Sequence, residues 1–330
     1  MAVEGKPKFA MYWAAACGGC EIAVLNTHEG LLDVDANFEV VFWPVAMDAK
    51  YADVEAMPDG DITVCLFNGG IRNNENEAIA RLLRRKSQIL VAFGACACEG
   101  GIPGLGNLAS REDILETAFQ TVSTENPEAI RPQAHTSVDG HTLEIPTLNQ
   151  AVKTLDQVVM VDYFMPGCPP ESQQIKAVIG LLIQALHGQA ELPPKGSVIG
   201  AGNSTVCDEC PRTRSEKSIA KINRMATFQP VGQECLLEQG ILCAGIATCS
   251  GCQAKCPAAN MPCVGCYGAA PGVIDQGARL ISAVASVVKG NTQAEVSPIM
   301  DEIVDPVGTF YKFSLAHGLL HRGKSDQERR

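Results

Sequence analysis

Residues 89–101 read ILVAFGACACEGG, an apolar strand that runs directly into a glycine-rich loop with cysteines. The same order, first a strand and then a cysteine loop, occurs near the amino terminus with Cys17 and Cys20, and again with Cys168. In an open α/β sheet the carboxyl ends of the parallel strands face one edge, where ligand sites form. The pattern therefore predicts that cysteines far apart in sequence meet at one sheet edge.

The first half of the chain alternates apolar segments with helical ones, which predicts an α/β fold with a flavodoxin-like, doubly wound parallel sheet. The predicted strands are Phe9–Trp13, Phe38–Pro44, Ile62–Phe67, Ile89–Phe93 and Val158–Tyr163. The predicted helices are Cys20–His28, Glu75–Arg85, Glu112–Gln120 and Ser172–His187. An Asp-Gly pair within Thr136–Thr147 predicts an inserted hairpin.

A linker signal, ELPPKGS at residues 191–197, predicts a domain boundary near residue 195. Residues 1–195 would form the flavodoxin-like domain. Residues 196–330, where nine cysteines lie between 207 and 266, would form a smaller, mostly irregular and helical iron–sulfur domain that depends on its clusters to fold. Helices are expected over about 272–289 and 308–321, and residues 323–330 are expected to fray.

The composition indicates a cytoplasmic protein. A formal net charge of -11 argues against binding to nucleic acid or to anionic membrane surfaces. No apolar run approaches the ~18 residues of a membrane span. In the reducing cytoplasm, clustered cysteines are metal ligands more often than disulfides.

Fifteen cysteines occur in the 330 residues, and nine of them lie between Cys207 and Cys266. The soft thiolate suits iron–sulfur clusters or zinc. The Cys252-x3-Cys256-Pro and Cys263-x2-Cys266 spacings favour iron–sulfur ligation over structural zinc, which stays the alternative. Two groups of four account for eight of the nine and leave Cys249 over. Two further cysteines, Cys65 and Cys98, are expected in the core.

Four segments in this order resemble the small subunit of [NiFe] hydrogenases: CGGCE at 17–21, GACACEGG at 94–101, PGCPP at 166–170 and EQGILCAGIATCSGCQAKCPAANMPCVGCYG at 238–268. The resemblance extends from Phe9 to about Gly290. It is closest to the cytoplasmic three-cluster group, the methyl-viologen-reducing (deazaflavin-non-reducing) hydrogenases that work with heterodisulfide reductase in methanogenesis.

The resemblance implies that this chain relays electrons through three [4Fe–4S] clusters. The implied ligands are Cys17, Cys20, Cys96 and Cys168 for the proximal cluster, Cys252, Cys256, Cys263 and Cys266 for the medial one, and Cys207, Cys210, Cys235 and Cys243 for the distal one. Hydrogen would be split on a separate nickel–iron large subunit, so no catalytic residue is expected here. An iron–sulfur acceptor subunit, linked to a flavin-containing heterodisulfide reductase, would take the electrons, and this chain would hold neither flavin nor nicotinamide.

Other functions remain open at this point. The same order of cysteines would also suit an electron-transfer module of another oxidoreductase, or the small subunit of a deazaflavin- or NAD(P)-linked hydrogenase. A zinc-stabilised interaction protein is a third alternative. Glu21 could assist proton movement, or it could be a first-turn carboxylate that favours a helix N-terminus. The six histidines show no ligand spacing.

Overall fold

The computed structural model describes residues 5–215 and 217–319 and is built around a six-stranded parallel sheet. Strands are β1 Lys8–Trp13, β2 Glu39–Phe42, β3 Ile62–Asn68, β4 Ile71–Asn73, β5 Ser87–Phe93, β6 His135–Val138, β7 His141–Glu144, β8 Leu148–Lys153, β9 Tyr163–Met165 and β10 Ser197–Val198. Helices are α1 Gly19–Leu25, α2 Gly30–Asn37, α3 Tyr51–Ala56, α4 Asn74–Lys86, α5 Ala95–Glu99, α6 Arg111–Gln120, α7 Ser172–Leu186, α8 Val206–Glu209, α9 Lys255–Ala258, α10 Gln276–Val287, α11 Gln293–Met300 and α12 Pro306–Phe310.

The sheet has the strand order β2–β1–β3–β5–β9–β10, and all of its pairings are parallel. When only the strands of this sheet are numbered along the chain, the order is 2-1-3-4-5-6. This is the flavodoxin-like order 2-1-3-4-5 with β10 added as a short edge strand. The predicted flavodoxin-like α/β fold is therefore confirmed, and the strands expected near 9, 38, 62 and 89 lie where the apolar pattern placed them.

Both faces of the sheet are buried, because successive strand residues point to opposite sides. On one face Met11 and Val91 pack with α1, α2 and α7, and on the other Tyr12 and Leu90 pack with α4. Burial on both faces explains why the central strands are continuously apolar rather than alternating.

The α4 helix shows how local sequence fixes one of these layers. The side chain of Asn73 caps it by accepting the Asn76 N–H at 2.7 Å. Its apolar side, including Leu82 and Leu83, is buried, whereas Arg81 pairs with Glu77 one turn away at 2.8 Å. Capping, amphipathicity and basic residues in the last turn all favour a helix over this stretch.

The expected strand Val158–Tyr163 is wrong, since the strand in the sheet is Tyr163–Met165. Residues 155–159 form a turn in which the N–H groups of Val158 and Val159 both bond to Leu155 O. The two valines pack against the core from this turn. Their apolar character therefore reflects burial and not strand pairing.

The inserted hairpin is confirmed as the antiparallel pair of β6 and β7. Asp139 and Gly140 at its tip have φ of 49° and 78°, as a two-residue turn with left-handed residues requires. All eight strand residues of the hairpin are exposed.

Residues beyond 200 contain little regular structure and pack around a separate apolar cluster that includes Val206, Leu280 and Val284. The helix expected over 272–289 is observed as α10. The helix expected over 308–321 is wrong: α12 ends at Phe310 and turns continue to residue 319. Positions 320 and 321, and the expected frayed end at 323–330, lie outside the described residues.

Residues 311–319 return to the first half of the chain and pack on α5. Phe313 O accepts the Gly101 N–H at 2.9 Å, and Ala316 O accepts a bond from Gln157 Nε2 at 2.8 Å. The approach is so close that a Cβ at Gly100 would lie 2.3 Å from the Ala316 Cβ. This contact joins the last described residues to the loop that carries Cys96. Among the described residues, none of the helices has both the length and the apolarity to cross a membrane.

Candidate iron–sulfur sites

The first group of cysteines lies at the carboxyl edge of the sheet. Cys17 and Cys20 follow β1, Cys96 lies in α5 directly after β5, and Cys168 lies in the loop between β9 and α7. Because β1, β5 and β9 are parallel, their carboxyl ends open onto the same edge. The fold thus brings together four cysteines that the sequence separates widely.

The thiols of this first group are close enough to influence one another's ionisation. Burial, with the negative charges that Cys96, Glu21, Cys168 and Cys17 can carry, raises the pKa of the Cys20 thiol. Burial together with Cys168 and Cys17 raises the pKa of the Cys96 thiol to about 12. Burial, and then mutual repulsion, therefore favour the protonated form of Cys20 and Cys96 unless a cation is bound beside them.

Two glycines make room for these sulfurs. A Cβ on Gly94 would lie 2.4 Å from Cys20 Sγ, and a Cβ on Gly101 would lie 2.6 Å from Cys96 Sγ. Both have positive φ, of 85° and 57°, which glycine adopts at no steric cost. Any larger residue at either position would displace a thiol, so the glycines form part of the site.

The second group lines a cavity of about 300 Å³. Its walls carry four cysteines, Cys252, Cys256, Cys263 and Cys266, and also Cys168 from the first group. Burial first, and then the neighbouring Cys168, Cys252 and Cys256, raise the pKa of the Cys266 thiol to about 12, although the Cys168 N–H opposes this rise.

The third group comprises Cys207, Cys210, Cys235 and Cys243, all of which are half-buried. Burial is the main cause that raises the pKa of the Cys207 thiol to about 12, Cys243, Cys235 and Cys210 add to it, and Arg214 opposes it. The third group is joined to the second, because the Cys263 N–H donates to Cys243 Sγ at 3.2 Å.

Arg212 is a buried cation that ties the two groups together. Its guanidinium donates to Pro257 O and to Glu234 O, both at 2.8 Å. Pro257 follows Cys256 of the second group, and Glu234 precedes Cys235 of the third. One side chain thereby fixes the backbone beside a cysteine in each group. The spacing of the cysteines in the sequence does not predict this link.

The donor sets suit iron–sulfur clusters. Each group offers four soft thiols, most of them buried or half-buried, and a glycine or a cavity leaves room beside them. Within residues 5–215 and 217–319, no three His, Cys, Asp or Glu side chains are arranged to hold a single metal ion. The grouping of the twelve cysteines remains a prediction.

The other three cysteines are not among the predicted ligands, although Cys98 lies near Cys20 and Cys249 lies near Cys252. Cys65 is buried within β3, Cys98 Sγ donates to Ala92 O at 3.2 Å, and Cys249 Sγ donates to Gly202 O at 3.1 Å. Glu21, directly after Cys20, is also buried, and its Oε1 accepts a bond from Asn68 Nδ2. Among the described residues its Oε2 has no hydrogen-bond partner. Burial raises the pKa of the Glu21 carboxyl.

Two features near the sites were not expected from the sequence. Tyr267 is the largest fully buried side chain among the described residues and lies between the first and second groups. His317 lies between two carboxylates, with Nδ1 3.5 Å from Glu99 Oε2 and Nε2 3.6 Å from Asp156 Oδ2. The partners of His317 are more than 150 positions away, so no local pattern signals the cluster.

Comparison with known proteins agrees with this geometry. A family model described as "NADH ubiquinone oxidoreductase, 20 Kd subunit" matches residues 17–182. The iron–sulfur subunit of the F420-non-reducing hydrogenase of Archaeoglobus profundus is 38% identical over 326 residues, which cover 96% of this chain and 98% of that protein. The corresponding subunit of the F420-non-reducing hydrogenase of Methanothermobacter marburgensis is 36% identical, and the match covers 96% of each chain.

A second kind of relative matches a shorter part. The delta subunit of the NAD-reducing hydrogenase HoxS of Cupriavidus necator is 31% identical over 180 residues, or 54% of this chain and 80% of that protein. A crystal structure of an NAD+-reducing [NiFe]-hydrogenase in the H2-reduced state is 28% identical over 57% of this chain and 96% of its own, with a TM-score of 0.48.

The fold, the cysteine sites and the relatives together define an electron-transfer small subunit of a [NiFe] hydrogenase, whose catalytic site is on the large subunit. Within that class, the chain belongs to the family of small subunits of the F420-non-reducing hydrogenases. It is thus part of an oxidoreductase, and the predicted resemblance is confirmed.

Proposed function

We propose that this subunit binds three [4Fe–4S] clusters, each held by four cysteine thiolates. The ligands are Cys17, Cys20, Cys96 and Cys168 for the proximal cluster, Cys252, Cys256, Cys263 and Cys266 for the medial one, and Cys207, Cys210, Cys235 and Cys243 for the distal one. The observation that carries the proposal is the convergence of these cysteines at three adjoining places, two with fitted glycines or a cavity.

The role of the chain is to hold and tune these groups. A [4Fe–4S] cluster, when bound, accepts and releases one electron. The polypeptide keeps water away from buried ligands such as Cys20 and Cys263, and it directs backbone N–H groups at sulfur, as Cys263 does toward Cys243. Hydrogen bonds to sulfur and burial are the means by which a protein sets the potential of a cluster.

The large subunit would cover the sheet edge beside Cys17. Cys17 is itself exposed, and exposed apolar side chains surround the carboxyl ends of β1 and β2. These side chains are Trp13, Ile22, Leu25, Val45 and Met47. Such a surface is typical of the apolar centre of a subunit interface.

Electrons would leave near the distal group. Cys210 and Cys235 are half-buried, and Arg214, Lys217 and Glu234 make the surroundings polar. A polar, partly open surface suits docking of an iron–sulfur acceptor subunit that is exchanged or weakly held. We propose that this acceptor links to a flavin-containing heterodisulfide reductase, in the cytoplasm, and that no flavin or nicotinamide binds to this chain.

The comparisons favour this acceptor over two alternatives. The relatives that span the whole chain are named as F420-non-reducing, which disfavours a deazaflavin-linked enzyme. The NAD-reducing relative matches only 54% of the chain. An acceptor reached through the residues beyond 200 is therefore better supported than direct nicotinamide reduction.

We also propose that the chain divides near residue 195 into residues 1–195, with the proximal group, and 196–330, with the other two. Separate apolar clusters support this division, with β10 and Ile199, just past residue 195, still packed with the first of the two domains. The return of residues 311–319 onto α5 would then be a contact between domains.

The proposal is tested by measuring iron, acid-labile sulfide, zinc and nickel in the anaerobically purified native complex. Three clusters require about twelve iron and twelve sulfide per copy of this chain, after subtraction of those on its partners. Zinc at two or three per chain, without sulfide, would overturn the proposal. About eight iron would show that one of the three groups does not bind a cluster.

A further inference from the structure

Two loops from different halves of the chain are joined by a hydrogen bond to a buried tyrosine. Glu171 N–H donates to the Tyr267 hydroxyl at 2.9 Å, and Tyr267 is only 2% exposed. Glu171 follows Cys168 by three residues, and Tyr267 directly follows Cys266. The bond therefore lies beside one proposed proximal ligand and one proposed medial ligand.

The same junction brings one cysteine of each group to a shared cavity. Cys168 and Cys266 both line it, and the Cys168 N–H is near enough to the Cys266 sulfur to stabilise negative charge there. Cys168 is thus close to Cys17 of the first group through its own sulfur and to Cys266 of the second through its backbone.

Each loop is anchored independently on its own side. Gly167 O accepts the Ala95 N–H at 2.7 Å, which ties the Cys168 loop to α5. Gln276 Nε2 donates to Gly265 O and Gly268 O, both at 2.9 Å, which fixes the turn that holds Cys266. Because each loop is held in place on its own side, the hydrogen bond between Glu171 and Tyr267 sets the distance and orientation between the two loops.

Other bonds cross the junction, but they lie nearer the surface. Lys255 Nζ forms an ion pair with the Glu171 carboxylate, and Lys255 is more than half exposed. Gln174 Nε2 donates to Gly251 O at 2.9 Å. An exposed ion pair contributes little, about 0–1 kcal/mol, and fixes geometry poorly. The Tyr267 bond is buried, and its loss would leave the Glu171 N–H without a partner.

We propose that Tyr267 is a positioning residue for electron transfer: by accepting the Glu171 N–H, it holds the Cys168 N–H near Cys266 Sγ and so couples the proximal and medial groups. The inference rests on the proposed ligand sets. One electron leaves the proximal group and one enters the medial group, no proton or atom moves, and hydrogen oxidation on the large subunit supplies the electrons. Because an N–H near sulfur stabilises the more negative, reduced state, it raises the medial potential.

The test is redox titration followed by electron paramagnetic resonance on the native complex with Tyr267→Phe. We expect unchanged iron content, a lower medial potential, a weaker magnetic interaction between the two reduced groups and faster deuterium exchange at the Glu171 amide. Tyr163→Phe is the matched control, because the Tyr163 hydroxyl is also buried and donates to Pro193 O at 3.0 Å, away from every cysteine group. The control should leave the potential and the interaction unchanged.

A second pair of variants removes the donor instead of the acceptor. Glu171 has φ of -68°, which proline adopts, so Glu171→Pro deletes the N–H with little strain. Glu171→Ala retains the N–H and, like the proline variant, lacks the ion pair with Lys255. The inference expects the medial potential to fall in Glu171→Pro and to stay constant in Glu171→Ala.

The outcomes separate this inference from the proposed function. If the unsubstituted complex lacks three clusters, the ligand assignment fails. If it holds three clusters but Tyr267→Phe and Glu171→Pro leave the medial potential and the magnetic interaction unchanged, the inference on Tyr267 is overturned while the function stands. Should Tyr267→Phe lose iron, the Glu171 pair alone decides between these results.

Discussion

The backbone N–H of Cys263 donates to the Sγ of Cys243 at 3.2 Å, and this contact connects two groups of cysteines. Cys263 lies in the proposed medial group and Cys243 in the proposed distal one. The Cys243 sulfur of the distal group thus accepts a hydrogen bond from the backbone of the medial group. A change of charge at one group will therefore change the electrostatic potential at the other.

Removing one proposed ligand should lower iron content, whereas removing a nearby spectator should not. We expect Cys256→Ala to lose about one to four iron per chain, because its group would keep only three thiolates. Cys249→Ala is the control, since the Cys249 thiol already donates to Gly202 O. Iron and sulfide analysis of both complexes checks this, and equal losses would contradict the assignment.

Gly94→Ala should displace the Cys20 sulfur and empty the proximal group. The new Cβ would lie 2.4 Å from Cys20 Sγ, at a residue with φ of 85°. Gly60→Ala controls for a positive φ, because Gly60 has φ of 74° and no atom within 4 Å of a built Cβ. Each variant carries a backbone cost of about 1–3 kcal/mol. Only the first should lose about four iron per chain, and retention of that iron would count against the assigned role of Gly94.

Arg212→Ala should destabilise the junction of the medial and distal groups. It removes the charged donor from Pro257 O and Glu234 O, which keep only the Asn260 N–H at 3.2 Å and Gln239 Nε2 at 3.0 Å, respectively. Each lost hydrogen bond to a charged group costs about 1.5–3 kcal/mol. The exposed Arg224→Ala serves as the control. Thermal unfolding of the holo-complex should show a lower midpoint for Arg212→Ala alone, and equal midpoints would show that the guanidinium contacts contribute nothing.

Raising the pH should weaken the docking of residues 311–319. The close contact with Asp156, with the charges of Glu99, Asp156 and Asp275, raises the pKa of His317 to about 9 although burial opposes it. A raised histidine pKa gives stability that is complete below the unfolded value near 6.5 and is lost as pH passes about 9. Burial also raises the pKa of Glu99 to about 7, so its ionisation disfavours the folded state as pH rises, in the same direction.

The measurement for this pH effect is the unfolding midpoint between pH 6 and pH 10. His317→Gln should remove the steep part of the loss near pH 9, because glutamine does not titrate. His187→Gln is the control, since His187 is exposed on the far end of α7. Parallel curves for the native chain and His317→Gln would contradict the role assigned to His317.

A charge on the proposed large-subunit face should prevent assembly. Val45 is exposed after β2, at the same sheet edge as Cys17, so Val45→Asp would place a carboxylate in an apolar interface. Val304→Asp makes the same change at an exposed position beside α12. Copurification of the large subunit should fail with the first and persist with the second; the reverse result would place the interface elsewhere.

Local patterns in the sequence were enough to predict four of the six strands of the sheet. Continuous apolar runs and capped amphipathic stretches place β1, β3, β5 and α4 because each depends on neighbours in sequence. The α11 helix was missed although Thr292 and Glu295 form a capping box, which is a readable start signal. The helix is only eight residues long and contains Pro298, so its helical pattern is too short to recognise in the sequence.

Contacts between distant residues could not be predicted in this way. Val158 and Val159 were mistaken for strand residues because a buried turn and a buried strand share the same apolar character. Tyr267 and Glu171 come together only when two halves of the chain pack. The same holds for His317 and Glu99, and pairs of this kind follow from tertiary packing rather than from spacing.

The bond from Gly101 N–H to Phe313 O bears on the order of assembly. The wall behind Cys96 is completed by residues that leave the ribosome more than two hundred positions later. Until they arrive, the glycine-rich loop lacks its backing, and the first cysteine group stays unfinished. Cluster loading at the edge proposed to meet the large subunit would thus wait until Phe313 has left the ribosome and packed behind Cys96, and only then would the chain be ready to accept its partner.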